Sequence, residues 1–240
     1  MTNKPVLVLV PGLMCDAAVW RAQTAAFGTD YEVRVPNFHS LDSFDAMAEA
    51  ALALSEGPVA LAGHSMGGRV AMQVAATAPD RVLRLALLDT GAHLPTPGEA
   101  ESRLGLVATG EREGIEAVIR TWLPPMLAPA NREDSALWDE IAAMQRRAGV
   151  ETLKRQQRAL LNRGDGFAQL ATIKVPTAFI TGALDSWSPP EQHREMQARV
   201  PGSTLTVIEG CGHMAPMEAP DQVNQAFAEW LGQGLDPEQA

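Results

Sequence analysis

Short apolar runs alternate with helical patterns from the start of the chain to Leu88, and this alternation limits the possible folds more than any other feature. The apolar runs that predict strands cover residues 6–10, 31–35, 58–62 and 82–88. Between them, helical patterns cover residues 17–27, 44–54 and 67–78. Strands that are each separated by a helix pair in parallel, so the pattern predicts a mostly parallel, doubly wound α/β sheet.

The middle of the chain breaks this alternation, because residues 93–166 contain no convincing strand pattern. Apolar residues recur there at the spacing of amphipathic helices, over residues 115–126, 137–148 and 153–160. Strands at 175–181 and 203–208 and helices at 189–200 and 223–231 then restore the alternation. We expect one domain, with residues 1–92 and 167–240 as the α/β core and residues 93–166 as an inserted helical cap.

Composition narrows the class of protein further. Of 240 residues, 46% are hydrophobic, which is enough for one large core. The net charge of -10 argues against nucleic acid or an anionic membrane surface as a partner. The two cysteines do not make a disulfide framework, the histidines lack metal-ligand spacing, and no apolar run is as long as a leader or a membrane span. We expect a cytoplasmic protein without a metal or other cofactor, and the oligomeric state stays open.

Residues 63–67 read GHSMG and match the pattern G-x-S-x-G, between a predicted strand and a predicted helix. That context favours a serine held on a sharp, strained turn with its hydroxyl exposed. Side chains at Gly63 or Gly67 would crowd the neighbouring backbone, which explains why both are glycine. The alternative is a glycine-rich turn with a capping serine. The pattern makes Ser65 a candidate nucleophile.

A serine needs a base, and the base needs an acid that orients it. In proteins with parallel sheets, catalytic and ligand-binding residues lie at the carboxyl ends of the strands. Asp185 follows the strand at 175–181, and His213 follows the strand at 203–208. The chain order Ser, Asp, His fits a catalytic triad of Ser65, Asp185 and His213. Asp89 also ends a strand and is an alternative acid, although Asp185 is favoured.

The same chemistry needs donors for a negatively charged oxygen. The backbone N–H of Met66, next to the serine, is one candidate, and that of Leu13, in the loop after the first strand, is the other. Gly12 allows the loop to approach closely. Cys15 lies beside this loop, but no basic residue adjoins it in sequence, so we interpret it as a packing residue.

Four segments together resemble the α/β-hydrolase superfamily along nearly the whole chain. They read VLVLVPGLMCDAAVW, GHSMGGRVA, PTAFITGALDSWSPP and GCGHMAPMEAPDQVNQAFAEWL. The resemblance is greatest to small carboxylesterases and enol-lactonases, and it implies an α/β-hydrolase fold, a serine hydrolase acting on a small ester or lactone, and no cofactor. One difference is Pro11-Gly12, where relatives commonly carry His-Gly. Trp122 and Trp187 are candidates for the wall of the substrate pocket.

Two other functions stay open at this point. GHSMGGRVAM also resembles the menaquinone-pathway cyclohexadiene synthases, which are lyases that use the triad to remove a proton, and Arg69 matches an arginine of their sequence. Such a lyase would need an anionic substrate. The favoured interpretation of Arg69 is nonetheless a residue of the first helical turn that reaches solvent or a nearby carboxylate. A ligand receptor built on this fold is the third possibility.

Overall fold

The computed structural model describes residues 4–232, and its centre is a parallel sheet of six strands. The strands are β1 (Val6–Val10), β2 (Glu32–Arg34), β3 (Val59–His64), β4 (Val82–Leu88), β5 (Thr177–Gly182) and β6 (Thr204–Ile208). They lie in the order β2-β1-β3-β4-β5-β6, and every neighbouring pair is parallel. The doubly wound α/β fold predicted from the sequence is confirmed.

Helices pack on both faces of the sheet. They are α1 (Arg21–Phe27), α2 (Phe44–Leu52), α3 (Met66–Thr77), α4 (Glu99–Glu113), α5 (Ile115–Trp122), α6 (Ser135–Leu161), α7 (Gly166–Leu170), α8 (Pro190–Gln197), α9 (Ala215–Glu218) and α10 (Pro220–Gly232). Successive strand residues contribute to two different cores, as Val8 packs with α2 and α3 while Leu7 packs with α10. The nearly continuous apolar runs of the strands are explained by this burial on both faces.

Most predicted boundaries lie within two or three residues of the observed ones, and β3 shows why one differs. The apolar run predicts a strand that ends at residue 62, before Gly63. In the structure Gly63 and His64 continue the ladder, opposite Leu87 and Leu88 of β4. The strand therefore leads directly into Ser65, which is followed at once by α3.

Between β4 and β5 the described chain forms helices and no strand. The two predicted stretches 137–148 and 153–160 belong to one helix, α6, which is interrupted at Gly149 with φ 72°. Helix α4 has no counterpart among the predicted stretches, since its buried residues are only Val107 and Gly110. A helix with so little buried surface leaves a weak hydrophobic pattern in its sequence. No helix within residues 4–232 has the length and apolarity needed to cross a membrane.

All the candidate groups lie at one edge of the sheet. Leu13 follows β1, Ser65 follows β3, Asp185 follows β5 and His213 follows β6. Because the strands are parallel, their carboxyl ends meet at the same edge, and the fold brings together residues that are far apart in sequence.

Candidate active site

Ser65 occupies the tight turn between β3 and α3, with φ 54° and ψ -118°. This left-handed conformation is rare for a residue with a side chain and indicates a strained turn. The turn depends on its glycines: a Cβ on Gly63 would lie 2.3 Å from the carbonyl oxygen of Gly67, and a Cβ on Gly67 would lie 2.3 Å from that of Val10. The reason predicted from the sequence for a glycine at both positions therefore agrees with the geometry.

Ser65, His213 and Asp185 form a continuous hydrogen-bonded chain. Ser65 Oγ is 2.8 Å from His213 Nε2, and His213 Nδ1 is 2.8 Å from Asp185 Oδ2. An ionised carboxylate only accepts, so the Asp185 contact places the ring proton of His213 on Nδ1. His213 Nε2 is then able to accept the proton of the Ser65 hydroxyl. This is the mutual geometry that a serine nucleophile, its base and an orienting acid require.

Asp185 is held in its ionised form. Burial by itself raises the pKa of this carboxyl, but His213 and the backbone N–H groups of Ser188 and Trp187 more than offset that effect, and the net pKa lies below its ordinary value. Oδ1 accepts from Trp187 N at 2.8 Å and from Ser188 N at 3.0 Å. The turn after β5 therefore fixes one carboxylate oxygen and leaves the other for the histidine.

Asp89, the alternative acid, makes different contacts. Its two oxygens accept from the backbone N–H groups of Gly182 at 2.9 Å and of Ala215 at 3.2 Å. Burial, with the negative charge of Asp185 nearby, raises the pKa of Asp89 well above its ordinary value. The carboxyl of Asp89 thus joins the end of β5 to the start of α9, while the Nδ1 of His213 is bonded to Asp185.

The ring of His64 is hydrogen-bonded to the backbone of His213. Its Nε2 lies 2.8 Å from the carbonyl oxygen of His213, and a carbonyl only accepts, so Nε2 carries the proton. Burial, with the neighbouring His213, lowers the pKa of His64 to about 3, so this ring stays neutral. The backbone N–H of His213 in turn donates to the carbonyl of Met126 at 2.7 Å. The loop between β6 and α9, which carries His213, is therefore hydrogen-bonded both to β3 of the sheet and to the segment that follows α5.

The two candidate oxyanion donors belong to Met66, which follows Ser65 in the chain, and to Leu13, in the loop after β1. Gly12 comes so close that a Cβ on it would be 3.2 Å from the Cβ of Ser65, which brings the following Leu13 to the reaction centre. Leu13 and Met66 both line the cavity that contains Ser65. Within residues 4–232, no acceptor is found for the backbone N–H of Leu13 or of Met66. Both N–H groups therefore remain candidates for the donors of an oxyanion hole.

A cavity of about 1100 Å³ lies above Ser65, between the sheet edge and helices α4 to α6. Trp122 and Trp187, the candidate wall residues, both line it. Their rings are stacked with centroids 5.3 Å apart, and the Trp187 ring lies 4.9 Å from that of His213. The aromatic pair gives the cavity an apolar wall next to the base.

The lining of the cavity also carries charges. Arg69, in the first turn of α3, is partly exposed and lines the cavity, and within the described residues its guanidinium has no hydrogen-bond or ion-pair partner. Burial, together with the charge of Arg163, lowers the pKa of Arg69 to about 9. The carboxylate that lies nearby, Glu99, is already bonded to Arg163 at 2.6 Å and to Arg103 at 2.7 Å.

Three charged residues that line the cavity could not be recognised from the sequence, namely Glu99, Arg103 and Arg163. Glu99 and Arg103 stand four residues apart on α4, a spacing that predicts an ion pair on a helix but does not say which way the pair faces. Arg163 follows α6, and its side chain has 6% exposure. Nothing in its sequence context indicates that burial.

Neither cysteine fits a nucleophile. Burial raises the pKa of Cys15 to about 12 and raises that of Cys211 even further, so both thiols stay protonated. Among residues 4–232, no group of three or more His, Cys, Asp or Glu side chains is arranged to hold a metal ion.

A serine on a strand-to-helix turn, bonded to a histidine and through it to an aspartate at the edge of a parallel sheet, defines the class of α/β-hydrolases. The sequence matches the model of the alpha/beta hydrolase family over residues 7–226. The chain belongs to this family and is an α/β-hydrolase enzyme.

Similar proteins include hydrolases and esterases. The (E)-2-((N-methylformamido)methylene)succinate hydrolase of Acinetobacter baylyi is 30% identical over 94% of this chain and 89% of its own length. A thermophilic esterase from Thermogutta terrifontis, solved with malate bound, has a TM-score of 0.87 at 29% identity, over 96% of this chain and 90% of that one. The enol-lactonase from Burkholderia xenovorans LB400 shares the fold with a TM-score of 0.87 at 22% identity, over 96% and 92% of the two chains.

Proposed function

We propose that this enzyme hydrolyses a small carboxylic ester or lactone through an acyl-enzyme formed on Ser65. The observation that carries the proposal is the unbroken chain from Ser65 Oγ through His213 to Asp185, beside two backbone N–H groups for which residues 4–232 supply no acceptor. The relatives named as esterases and hydrolases support the same reaction class.

The first half of the reaction forms the acyl-enzyme. Ser65 Oγ attacks the substrate carbonyl while His213 Nε2 takes the hydroxyl proton. The N–H groups of Leu13 and Met66 stabilise the oxyanion, and each such donor typically lowers the barrier by about 2.7–4 kcal/mol. His213 then gives the proton to the leaving alcohol oxygen as its bond to the carbonyl carbon breaks.

The second half releases the acid. Water attacks the acyl carbon and gives a proton to His213, which passes it to Ser65 Oγ as the acyl bond breaks. Asp185 holds the imidazole in the useful tautomer and stabilises its cation throughout. In a lactone the alcohol stays attached to the acyl group, so the product is one hydroxy acid.

Hydrolysis of p-nitrophenyl esters from acetate upward tests the proposal. We expect turnover that peaks at one chain length, and a fluorophosphonate adduct on Ser65. Ser65→Ala should lose at least about 10⁴-fold in kcat. Ser102→Ala is the matched control, because Ser102 also lines the cavity but lies on α4. A folded protein that turns over no ester would contradict the proposed hydrolase activity.

A lyase is the second candidate, and the placement of Arg69 favours it. Arg69 lines the cavity and has no partner in the part of the chain that the structure describes, and such a cation suits a substrate that carries a carboxylate, as an anionic lyase substrate would. Arg69→Met should then lower kcat/KM for a carboxylate-bearing ester more than for a neutral ester of equal size. Equal losses would remove this support, and a burst of p-nitrophenol with an acyl mass on Ser65 would favour the hydrolase.

A further inference from the structure

One residue of α6 reaches from the cap into the loop after β1. Gln156 is fully buried, and its Oε1 accepts the backbone N–H of Met14 at 2.7 Å. Its Nε2 donates to the backbone carbonyl of Phe38 at 3.3 Å, in the segment after β2. One side-chain amide therefore bridges two loops of the core from a helix of the cap.

The loop that Gln156 contacts is a tight turn. The N–H of Cys15 donates to the carbonyl of Gly12 at 3.1 Å, which closes a turn over residues 12–15. Met14, the third residue, has φ 57°, a left-handed conformation that residues other than glycine rarely adopt. The central peptide of such a turn has two orientations, which differ in the sign of φ at the third residue. The positive φ of Met14 corresponds to one of them.

The amide of Gln156 selects that orientation. Its Nε2 must donate to the Phe38 carbonyl, so the amide cannot turn over without placing an oxygen against an oxygen. Oε1 therefore faces the turn and requires a donor there. The Met14 N–H supplies it, whereas the opposite orientation of the peptide would present the Leu13 carbonyl to an acceptor. The hydrogen bond thus offsets the conformational cost at Met14.

The selected turn bears directly on the reaction centre. Leu13 is its second residue, and the adjoining Gly12 lies in close contact with Ser65. The Leu13 N–H, one of the two donors in the proposed function, belongs to the peptide just before the central one, so the hydrogen bond that Gln156 accepts from Met14 anchors the loop one residue away from that donor. We propose that Gln156 is a positioning residue of the oxyanion hole, which holds the Leu13 N–H toward the substrate oxygen. The proposal rests on the proposed function.

Kinetics of Gln156→Met test it, since methionine has nearly the shape of glutamine but makes neither hydrogen bond. We expect kcat for a p-nitrophenyl ester to fall about 10- to 100-fold with KM within about threefold, because a misplaced oxyanion donor weakens the transition state. The inhibition constant of phenylboronic acid, which forms a tetrahedral adduct on serine, should rise by about the factor lost in kcat/KM.

Thr152→Val is the matched control. Thr152 lies one turn earlier on α6 and donates to the carbonyl of His39, next to Phe38, and among the described residues it makes no hydrogen bond to the loop after β1. It should lower the melting temperature but leave kcat and the boronic acid constant within about twofold. If Gln156→Met keeps kcat within twofold of the wild type, the inference fails and the proposed function stands. If the wild type turns over no ester, both fail together.

Gln156→Glu keeps the proposal testable if the methionine variant does not fold. A protonated glutamate donates to Phe38 and accepts from Met14, whereas an ionised one loses the Phe38 contact. Both forms keep the acceptor for the Met14 N–H, so the variant should keep kcat within about threefold of the wild type while its melting temperature falls as the new carboxyl ionises. A folded variant that lost kcat tenfold or more with this acceptor in place would contradict positioning through Met14.

Discussion

The sheet edge and the cavity that lies between it and helices α4 to α6 are built in different ways. At the edge, backbone contacts fix each group, as Thr90 Oγ1 donates to the carbonyl of Ser65 at 2.7 Å, and Asp185 accepts two backbone N–H groups. In the cavity, long side chains from separate helices meet. Glu99 is shared by two arginines, and Arg69 has no acceptor among the described residues.

This difference separates reactivity from specificity. A group fixed by the backbone keeps its geometry whatever the substrate, which suits the part that every substrate must meet. A cavity lined by side chains changes its charge and shape with single substitutions, and we expect substrate choice to depend on it. The predictions below test whether the two regions behave as differently as they are built.

The largest effect is expected at the edge, in Asp185→Asn. An amide at this position favours the wrong tautomer of His213, and in serine proteases the corresponding change costs about 10⁴-fold in kcat. Kinetics on the best ester should show a loss of this order at neutral pH, with the melting temperature little changed.

Asp89→Asn is the matched control for Asp185→Asn. It removes one acceptor of a backbone N–H but no contact to His213, so it should destabilise by about 1–3 kcal/mol and lower kcat less than tenfold. If Asp89→Asn instead lost as much activity as Asp185→Asn, the assignment of the acid would be overturned.

A second large effect is expected from Gly67→Ala. The added Cβ would lie 2.3 Å from the carbonyl oxygen of Val10 and 2.6 Å from that of Pro11, and backbone atoms cannot rotate away. We expect a loss of about 3 kcal/mol or more in the free energy of unfolding, measured by urea denaturation. A variant as stable as the wild type would show that α3 can move from β1, and that the edge is less rigid than its contacts indicate.

The difference between the sheet edge and the cavity also explains which residues could be predicted from the sequence. The edge residues follow strands whose apolar runs are unmistakable, so Ser65, Asp185 and His213 could be located by strand ends and chain order. Helix α4 could not be recognised, because it buries little surface, and the inward side of Arg69 could not be known without the helices around it. Tertiary contacts between distant segments decide such placements, and local sequence does not encode them.

The buried ion pairs of Glu99 should make the free energy of unfolding depend on pH. Burial alone raises the pKa of Glu99, but bonds to Arg163, the Thr96 N–H and Arg103 lower it to about 2. The unfolded chain therefore binds more protons at low pH, so this contribution is present above about pH 4.5 and is lost as the pH falls toward 2. The wild type should exceed Glu99→Gln by about 2–3 kcal/mol more at pH 6 than at pH 2.

Urea denaturation at several pH values measures this difference. Glu116→Gln is the control, since its ion pair with Arg146 is exposed and water screens it, so its difference from the wild type should change little with pH. If the Glu99→Gln difference were equally flat, the buried ion pair would not contribute to the stability of the cap.

The smallest expected effect is a gain in stability, from Gly105→Ala. Gly105 lies in the interior of α4, exposed, and a Cβ there would meet no atom within 4 Å. Alanine reduces the freedom of the unfolded chain and should raise the free energy of unfolding by about 0.5–1 kcal/mol. A rise in melting temperature, with kcat for small esters unchanged, would show that the cap accepts side chains where the edge at Gly67 does not. A loss of stability would mean that α4 packs more tightly than its two buried residues indicate.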